Sequence, residues 1–167
     1  TRLDIAKEAI IKLVQKLLST NITLTLITFS DTAKIVYQGL INESIISIVS
    51  SIIIEGGTNI GSGLELASTI PDSDIVLLSD GEDLEGQGLQ KAKEAAKLGV
   101  KIFAIGIGGK AGVRIPTDPI DQVAKTFHRD TEGQTILTKL DQDSLKSIAR
   151  ATGGNYYSLG PTGEGLA

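Results

Sequence analysis

Two nearly continuous apolar runs, residues 74–79 (DIVLLS) and 100–107 (VKIFAIGI), constrain this chain more than any other feature. Runs of that length suit strands buried on both faces, the habit of parallel sheets. The segment between them, residues 87–98, is an Ala- and Lys-rich helical stretch that Gly99 stops. Strand, helix, strand in that order predicts an α/β fold, a doubly wound and mostly parallel sheet with helices on both faces.

The flanking segments agree. Thr1-Arg2-Leu3-Asp4 is a capping-box start, with a hydroxyl followed three residues later by a carboxylate. Leu3, Ala6, Ile10, Leu13, Val14 and Leu17 then recur at helical spacing, which predicts a helix over residues 3–18. Residues 22–29 (ITLTLITF) are β-branched and largely alternating, as a strand with one wetter face would be, and residues 33–38 predict a short strand pairing back across Ser30-Asp31-Thr32. Asn42 is placed to cap a helix carrying Ile45, Ile46, Ile48, Val49 and Ile52. Thr58-Asn59 offers two caps for a helix through Leu64, Leu66 and Ala67, weakened by Gly61 and Gly63 at about 1 kcal/mol each. Asp141 caps a last helix, Gly153-Gly154 ends it, and residues 155–159 predict a final strand. Between residues 109 and 139 the texture turns Gly- and Pro-containing, with a hairpin expected from residues 123–129 and 134–138 around Thr131-Glu132-Gly133. That stretch is expected to be an insertion before the last helix, and residues 161–167 a tail or linker. There is no internal repeat and no sign of a second domain.

Composition removes several classes of chemistry. The 167 residues contain no Cys, which excludes disulfides, thiol nucleophiles, zinc–thiolate sites and iron–sulfur clusters. A single histidine, His128, excludes a two-histidine metal site, and its place in the expected hairpin beside Arg129 and Asp130 predicts an exposed surface residue. Sixteen Lys+Arg against 20 Asp+Glu leave a formal charge of −4 with no basic cluster, which argues against nucleic acid. No run approaches the roughly 20 apolar residues of a membrane span. The chain opens on Thr1 and holds no Met, so the natural start of the protein is expected upstream.

Candidate chemistry gathers at the expected carboxyl edge of the sheet, where doubly wound folds bind their ligands. Leu78-Ser79-Asp80-Gly81-Glu82-Asp83 follows a buried strand, so Asp80 should overhang the crevice, and Thr58 should reach the same edge from the start of its helix. A carboxylate and a hydroxyl are hard oxygen donors, suited to Mg²⁺, Mn²⁺ or Ca²⁺. The plainer reading is an Asp-Gly turn and an N-capping Thr. A second candidate is Gly106-Ile107-Gly108-Gly109-Lys110-Ala111, which fits the dinucleotide pattern G-x-G-x-x-G/A. That pattern requires a helix to open there, yet Arg114-Ile115-Pro116 and Pro119 follow, so the glycines are expected to turn the chain away from the sheet. The nucleophile elbow G-x-S-x-G is absent.

Gly56-Gly57-Thr58-Asn59-Ile60-Gly61 together with Leu77-Leu78-Ser79-Asp80-Gly81-Glu82-Asp83 resembles a von Willebrand factor A domain. Phe29-Ser30-Asp31-Thr32-Ala33 and Ile105-Gly106-Ile107-Gly108 are similar to further segments of that family. The ending, Leu140-Asp141, Ile148-Ala149, Thr152-Gly153-Gly154 and Tyr156-Tyr157, resembles its bacterial Bat-type (aerotolerance, BatA/BatB) subgroup. The resemblance implies a Rossmann-like sheet over residues 1–160 and a non-catalytic protein-interaction module. It also implies a metal-ion-dependent adhesion site for Mg²⁺ or Mn²⁺, with Thr58 and Asp80 matching two of its ligands and an acidic group of a protein partner completing it. Gly57, Asn59, Gly81, Glu82 and Asp83 would border that partner. The family's Asp-x-Ser-x-Ser loop, which ends its central first strand, is absent here and is expected upstream of residue 1. Its loss should expose two long strand edges and leave the metal site short of ligands. Bat-type relatives imply flanking membrane helices, a bacterial inner-membrane location and a domain facing the periplasm. A nucleotide-binding α/β enzyme using residues 106–111 and a metal-free scaffold are the alternatives.

Overall fold

The computed structural model describes residues 1–53, 56–109, 113–114, 129, 131–135 and 137–160. Helix α1 (Arg2–Leu17) starts from the expected capping box, with the Thr1 hydroxyl accepting from the Asp4 amide. Strands β1 (Thr23–Phe29) and β2 (Ala33–Leu40) form an antiparallel ribbon with a bulge between Leu26 and Ile27. Helix α2 (Ser44–Ser51) follows. Glu43 takes its N-cap position without a side-chain bond, while Asn42 Oδ1 accepts from the Ser44 amide at 2.9 Å. After α3 (Ile60–Ala67), the strands β3 (Ile75–Ser79), β4 (Ile102–Ile107) and β7 (Tyr156–Leu159) form a parallel sheet in the order β3-β4-β7. Its crossovers are α4 (Gly88–Lys97) and α5 (Gln142–Ala151).

Alternation along the strands sorts the core into layers. On β3 and β4, Leu77, Ile102 and Ala104 pack with Ile60 and Leu64 of α3, Ala92 and Ala95 of α4, and Leu145, Ile148 and Ala149 of α5. Leu78, Ile105 and Ile107 point the other way, against Ile5, Ala6 and Ala9 of α1. The second half of α1 belongs to a different cluster, where Val14 meets Ile41, Ile45, Val49, Leu24 and Leu26. Helix α1 therefore lies over both the parallel sheet and the ribbon. On the opposite face α3 does the same, since Phe29 of β1 packs into the cluster that holds Leu77. This is the expected doubly wound α/β arrangement with helices on both faces.

Two expectations need correction. The strand over residues 75–79 is not buried on both faces: Val76 is 48% exposed. The cause is its edge: among the described residues β3 pairs only with β4, and β1 only with β2, so the ribbon and the parallel sheet share no ladder there. Gly61 and Gly63 are more than weak points in α3. A Cβ on Gly61 would come 2.8 Å from Gln87 Cβ, and one on Gly63 would come 2.9 Å from the Phe29 ring. The glycines cost helix propensity and gain close packing on β1 and on the start of α4.

Most of the expected insertion, including His128, lies outside the described residues. Within them, Thr131-Glu132-Gly133 does form a turn, closed by an antiparallel bridge between Arg129 and Thr135. A short strand β6 (Leu137–Thr138) pairs antiparallel with β5 (Val113–Arg114).

Candidate functional site

Four turns meet at the carboxyl ends of β1, β3 and β4, and main-chain hydrogen bonds join them in sequence. The Asn59 amide donates to Ser30 O at 2.8 Å, linking the start of α3 to the ribbon turn. The Leu84 amide donates to Thr58 O at 3.0 Å, linking the loop of Thr58 to the loop of Asp80. The Asp141 amide donates to Asp80 O at 2.7 Å, and the Leu140 amide donates to Gly109 O at 3.2 Å. Thr58 and Asp80, 22 positions apart in the chain, thus lie on adjoining, mutually hydrogen-bonded loops.

Local chemistry sets each turn. Gly81 has φ +83°, and its amide donates to Ser79 Oγ at 3.0 Å, so the chain bends sharply as it leaves β3. The Glu82 amide donates to Asp80 Oδ1 at 3.3 Å, and the other carboxylate oxygen, Oδ2, meets Arg2 Nη1 at 2.5 Å. Both side chains of that ion pair are mostly buried, Arg2 23% and Asp80 21% exposed. Gly56 has φ +101°, and the Gly57 amide donates to Asp31 Oδ1 at 2.9 Å, which holds the loop before Thr58 against the ribbon turn.

The residues expected to border a partner are present at this edge, several with their polar atoms already engaged. Asn59 caps α3, its Oδ1 accepting from the Ser62 amide at 2.7 Å. Asp83 Oδ2 accepts from the Gly88 amide at 2.6 Å, opening α4. Glu82 Oε1 accepts from the Lys139 amide at 3.2 Å. Gly57 is half-buried beside Leu84, which is 70% exposed, and Gly81 is buried under Asp141. Sequence reasoning missed Arg2 and Asp31. Asp31 lies in the family-like segment Phe29-Ser30-Asp31-Thr32-Ala33 and Arg2 in the capping-box start of α1, but the only signal for either side chain was an acid in a turn and a base in the first turn of a helix.

The same edge answers the nucleotide alternative. Gly108 has φ +113°, but the side chain against it is Arg2, whose Nε would lie 3.1 Å from a Cβ placed there. The next described element is the strand β5, so among the described residues no helix opens after the glycines to meet a pyrophosphate.

Asp141 caps α5 as expected, with Oδ1 accepting from the Ser144 amide at 3.1 Å and Oδ2 from the Ser144 hydroxyl at 2.8 Å. The hydroxyl bond first, and then the amide bond, hold its carboxyl below the usual carboxylate range. A depressed folded-state value stabilises the fold above the unfolded value of about 3.9 and loses that contribution as pH falls through the folded one. Asp141→Ala is expected to cost about 1 kcal/mol at pH 7. In urea unfolding, the gap between variant and wild type should narrow below about pH 4.

The von Willebrand factor type A domain model matches residues 1–157. The chain belongs to that family. Its architecture is shared with the crystal structure of the conserved hypothetical protein BatB from Bacteroides thetaiotaomicron. The TM-score is 0.79 and the identity 29%, over 95% of this chain and 80% of that one. An aerotolerance-related membrane protein from Bacteroides fragilis NCTC 9343 matches with TM-score 0.79 and 30% identity, over 92% of this chain and 79% of that one. No curated protein matches it. The likeness to these two structures makes this a Bat-type von Willebrand A domain, and its family is one of protein-interaction modules. No helix among the described residues is long and apolar enough to cross a membrane.

The family's metal can be tested against the side chains at this edge. Thr58 and Asp80 fit it in kind, as hard oxygen donors on adjoining loops. They do not fill it by number, since among the described residues no three His, Cys, Asp or Glu side chains gather into a metal cluster.

Proposed function

We propose that this domain is a non-catalytic module that grips an acidic group of a partner protein at the loops of Thr58 and Asp80, through Mg²⁺ or Mn²⁺. One observation carries the reading: the bond from the Leu84 amide to Thr58 O ties the loop bearing the hydroxyl to the loop bearing the carboxylate. Thr58 and Asp80 would hold the ion, and a divalent cation left short of protein ligands supplies an attraction for an anionic side chain. Gly57, Asn59, Gly81, Glu82 and Asp83 border the place where that side chain would arrive. Asn59 and Asp83 act there by fixing helix starts, and Glu82 by pinning the strand end at Lys139.

The likeness to BatB and to an aerotolerance-related membrane protein supports a Bat-type bacterial protein. In this reading the domain is held at the inner membrane by segments outside the domain itself and faces the periplasm.

The test is calorimetric titration of Mg²⁺ and Mn²⁺ into wild type and Asp80→Ala. The wild type should bind, and the variant should bind at least about tenfold more weakly, having lost its only charged ligand. Equal binding by the two removes Asp80 from the site. The ion pair between Arg2 and Asp80 favours a second reading, a metal-free scaffold, because a base already neutralises the acid. Absence of any heat of binding would select it.

A further inference from the structure

We propose that the groove between the ends of α3 and α4 receives an arginine side chain of a partner protein, a contact separate from the loops of Thr58 and Asp80. Glu65, Ser68 and Thr69 line it from α3 and the residue after its cap, and Lys91, Glu94, Ala95 and Leu98 from α4 and its cap. The cavity measures about 190 Å³. That is below the roughly 300–1,000 Å³ of small-molecule sites and suits a single side chain.

The groove's donors are largely spent on the domain itself. The Ser68 hydroxyl donates to Leu64 O at 2.7 Å, and the Thr69 hydroxyl to Leu66 O at 2.7 Å. Lys91 Nζ donates to Glu65 Oε1 at 3.0 Å and to Glu94 Oε2 at 3.1 Å. Apart from the last Lys91 proton, the lining offers acceptors: two hydroxyl oxygens and the lone pairs of two carboxylates. Ala95, buried, and Leu98, 68% exposed, supply its apolar part. An occupant must therefore bring donors on an apolar stem. A guanidinium does so, as a planar fork of N–H groups that a carboxylate takes in pairs, carried on methylenes that lie along apolar surface. A carboxylate or phosphate would meet acceptors like itself. The helix ends favour the same charge, because α3 and α4 both stop at this groove, with Ser68 and Leu98 as their caps, and carbonyl-rich helix ends attract cations. Helix α3 has no basic residue in its last turn to meet that need, and Lys97 of α4 is not among the lining residues.

The experiment titrates the peptide acetyl-Leu-Arg-Leu-amide into isotope-labelled protein in EDTA, so that no divalent ion contributes, and follows the backbone amide resonances. The amides of Thr69, Ala95 and Leu98 are expected to shift and saturate. The same peptide with citrulline, the neutral isostere of arginine, should bind at least about tenfold more weakly. Glu65→Gln should weaken the arginine peptide at least about threefold. Glu8→Gln is the charge control: Glu8 and Glu65 are each 65% exposed and each paired with a lysine, but Glu8 lies on α1, so its variant should bind as wild type does. Citrulline binding as well as arginine, or Glu65→Gln binding as wild type, overturns the proposal. An equal loss in Glu8→Gln also overturns it, since the effect is then general charge. Shifts confined to the loops of Thr58 and Asp80 overturn it in favour of contact at that edge, and so does the absence of any shift. None of these outcomes bears on the metal reading, which EDTA keeps out of the experiment.

Discussion

Gly154→Ala is expected to destabilise the domain by about 3 kcal/mol, at the upper end of what overpacking costs. Gly154 lies where α5 ends and β7 begins. Its amide donates to Ala149 O at 3.0 Å, and that of Gly153 donates to Arg150 O at 3.2 Å, the two bonds of a Schellman ending. The turn drops the chain directly onto β4. A Cβ on Gly154 would sit 2.0 Å from Ile102 O and 2.7 Å from its carbonyl carbon, and both are backbone atoms that no rotamer can move aside. The two nearest ties of β7 and α5 to β4 would suffer together: the Ala104 amide bond to Asn155 O at 2.9 Å and the Ile102 amide bond to Thr152 Oγ1 at 2.8 Å. The neighbouring residue gives the control. Gly153 has φ +74°, but nothing among the described residues lies within 4 Å of the place a Cβ would take, so Gly153→Ala should cost only the left-handed strain, about 1–2 kcal/mol. In thermal unfolding, Gly154→Ala should fall by roughly 6–12 °C and Gly153→Ala by about one third to two thirds as much. Equal shifts would mean that the start of β7 does not approach β4 this closely.

Those two glycines also show what a sequence discloses. Gly153-Gly154 was legible as a helix stop, because a left-handed residue after a helix is a local requirement. The need for a bare Cα at Gly154 was not, because it comes from a strand some fifty residues earlier. The same division runs through the fold. Strand β4 was legible because its alternate residues face two different helical layers and must all be apolar. The edge of β3 was not, since periodicity records which face a residue takes and says nothing of which neighbour its backbone pairs with. Gly61 and Gly63 looked like defects of α3 on propensity alone, and only Phe29 and Gln87, from other elements, explain them.

At the site, the loops of Thr58 and Asp80 were legible from motif and from the rule that ligands gather beyond the carboxyl ends of strands. Asn59 and Asp83 proved to be builders of helix starts, a role their types permit and their spacing left open. Arg2 was invisible because an arginine in a first helical turn opposes the helix dipole and has no local reason to be there. Its reason is Asp80, and long-range charge pairing leaves no trace in local pattern.

Gly81→Ala joins stability to the site, and its expected effect is as large as that at Gly154, about 3 kcal/mol. Two costs add. The residue has φ +83°, where an L side chain is strained by about 1–2 kcal/mol. A Cβ would also stand 2.3 Å from Asp141 O and 3.1 Å from Leu145 Cγ, which adds overpacking of about 1–3 kcal/mol. Relief can come only by moving the Asp80 loop away from the start of α5, which breaks the Asp141 amide bond to Asp80 O at 2.7 Å and tilts Asp80 away from Thr58 and Arg2. Gly81→Ala should therefore lose divalent-ion binding along with stability, whereas Asp80→Ala should lose the binding with a smaller loss of stability. Gly86→Ala is the reference, being left-handed at φ +65° with nothing among the described residues within 4 Å, so it should cost about 1–2 kcal/mol and bind the ion as wild type does. Should Gly81→Ala bind as tightly as Gly86→Ala while unfolding more readily, the turn after β3 supports the fold alone and does not aim Asp80.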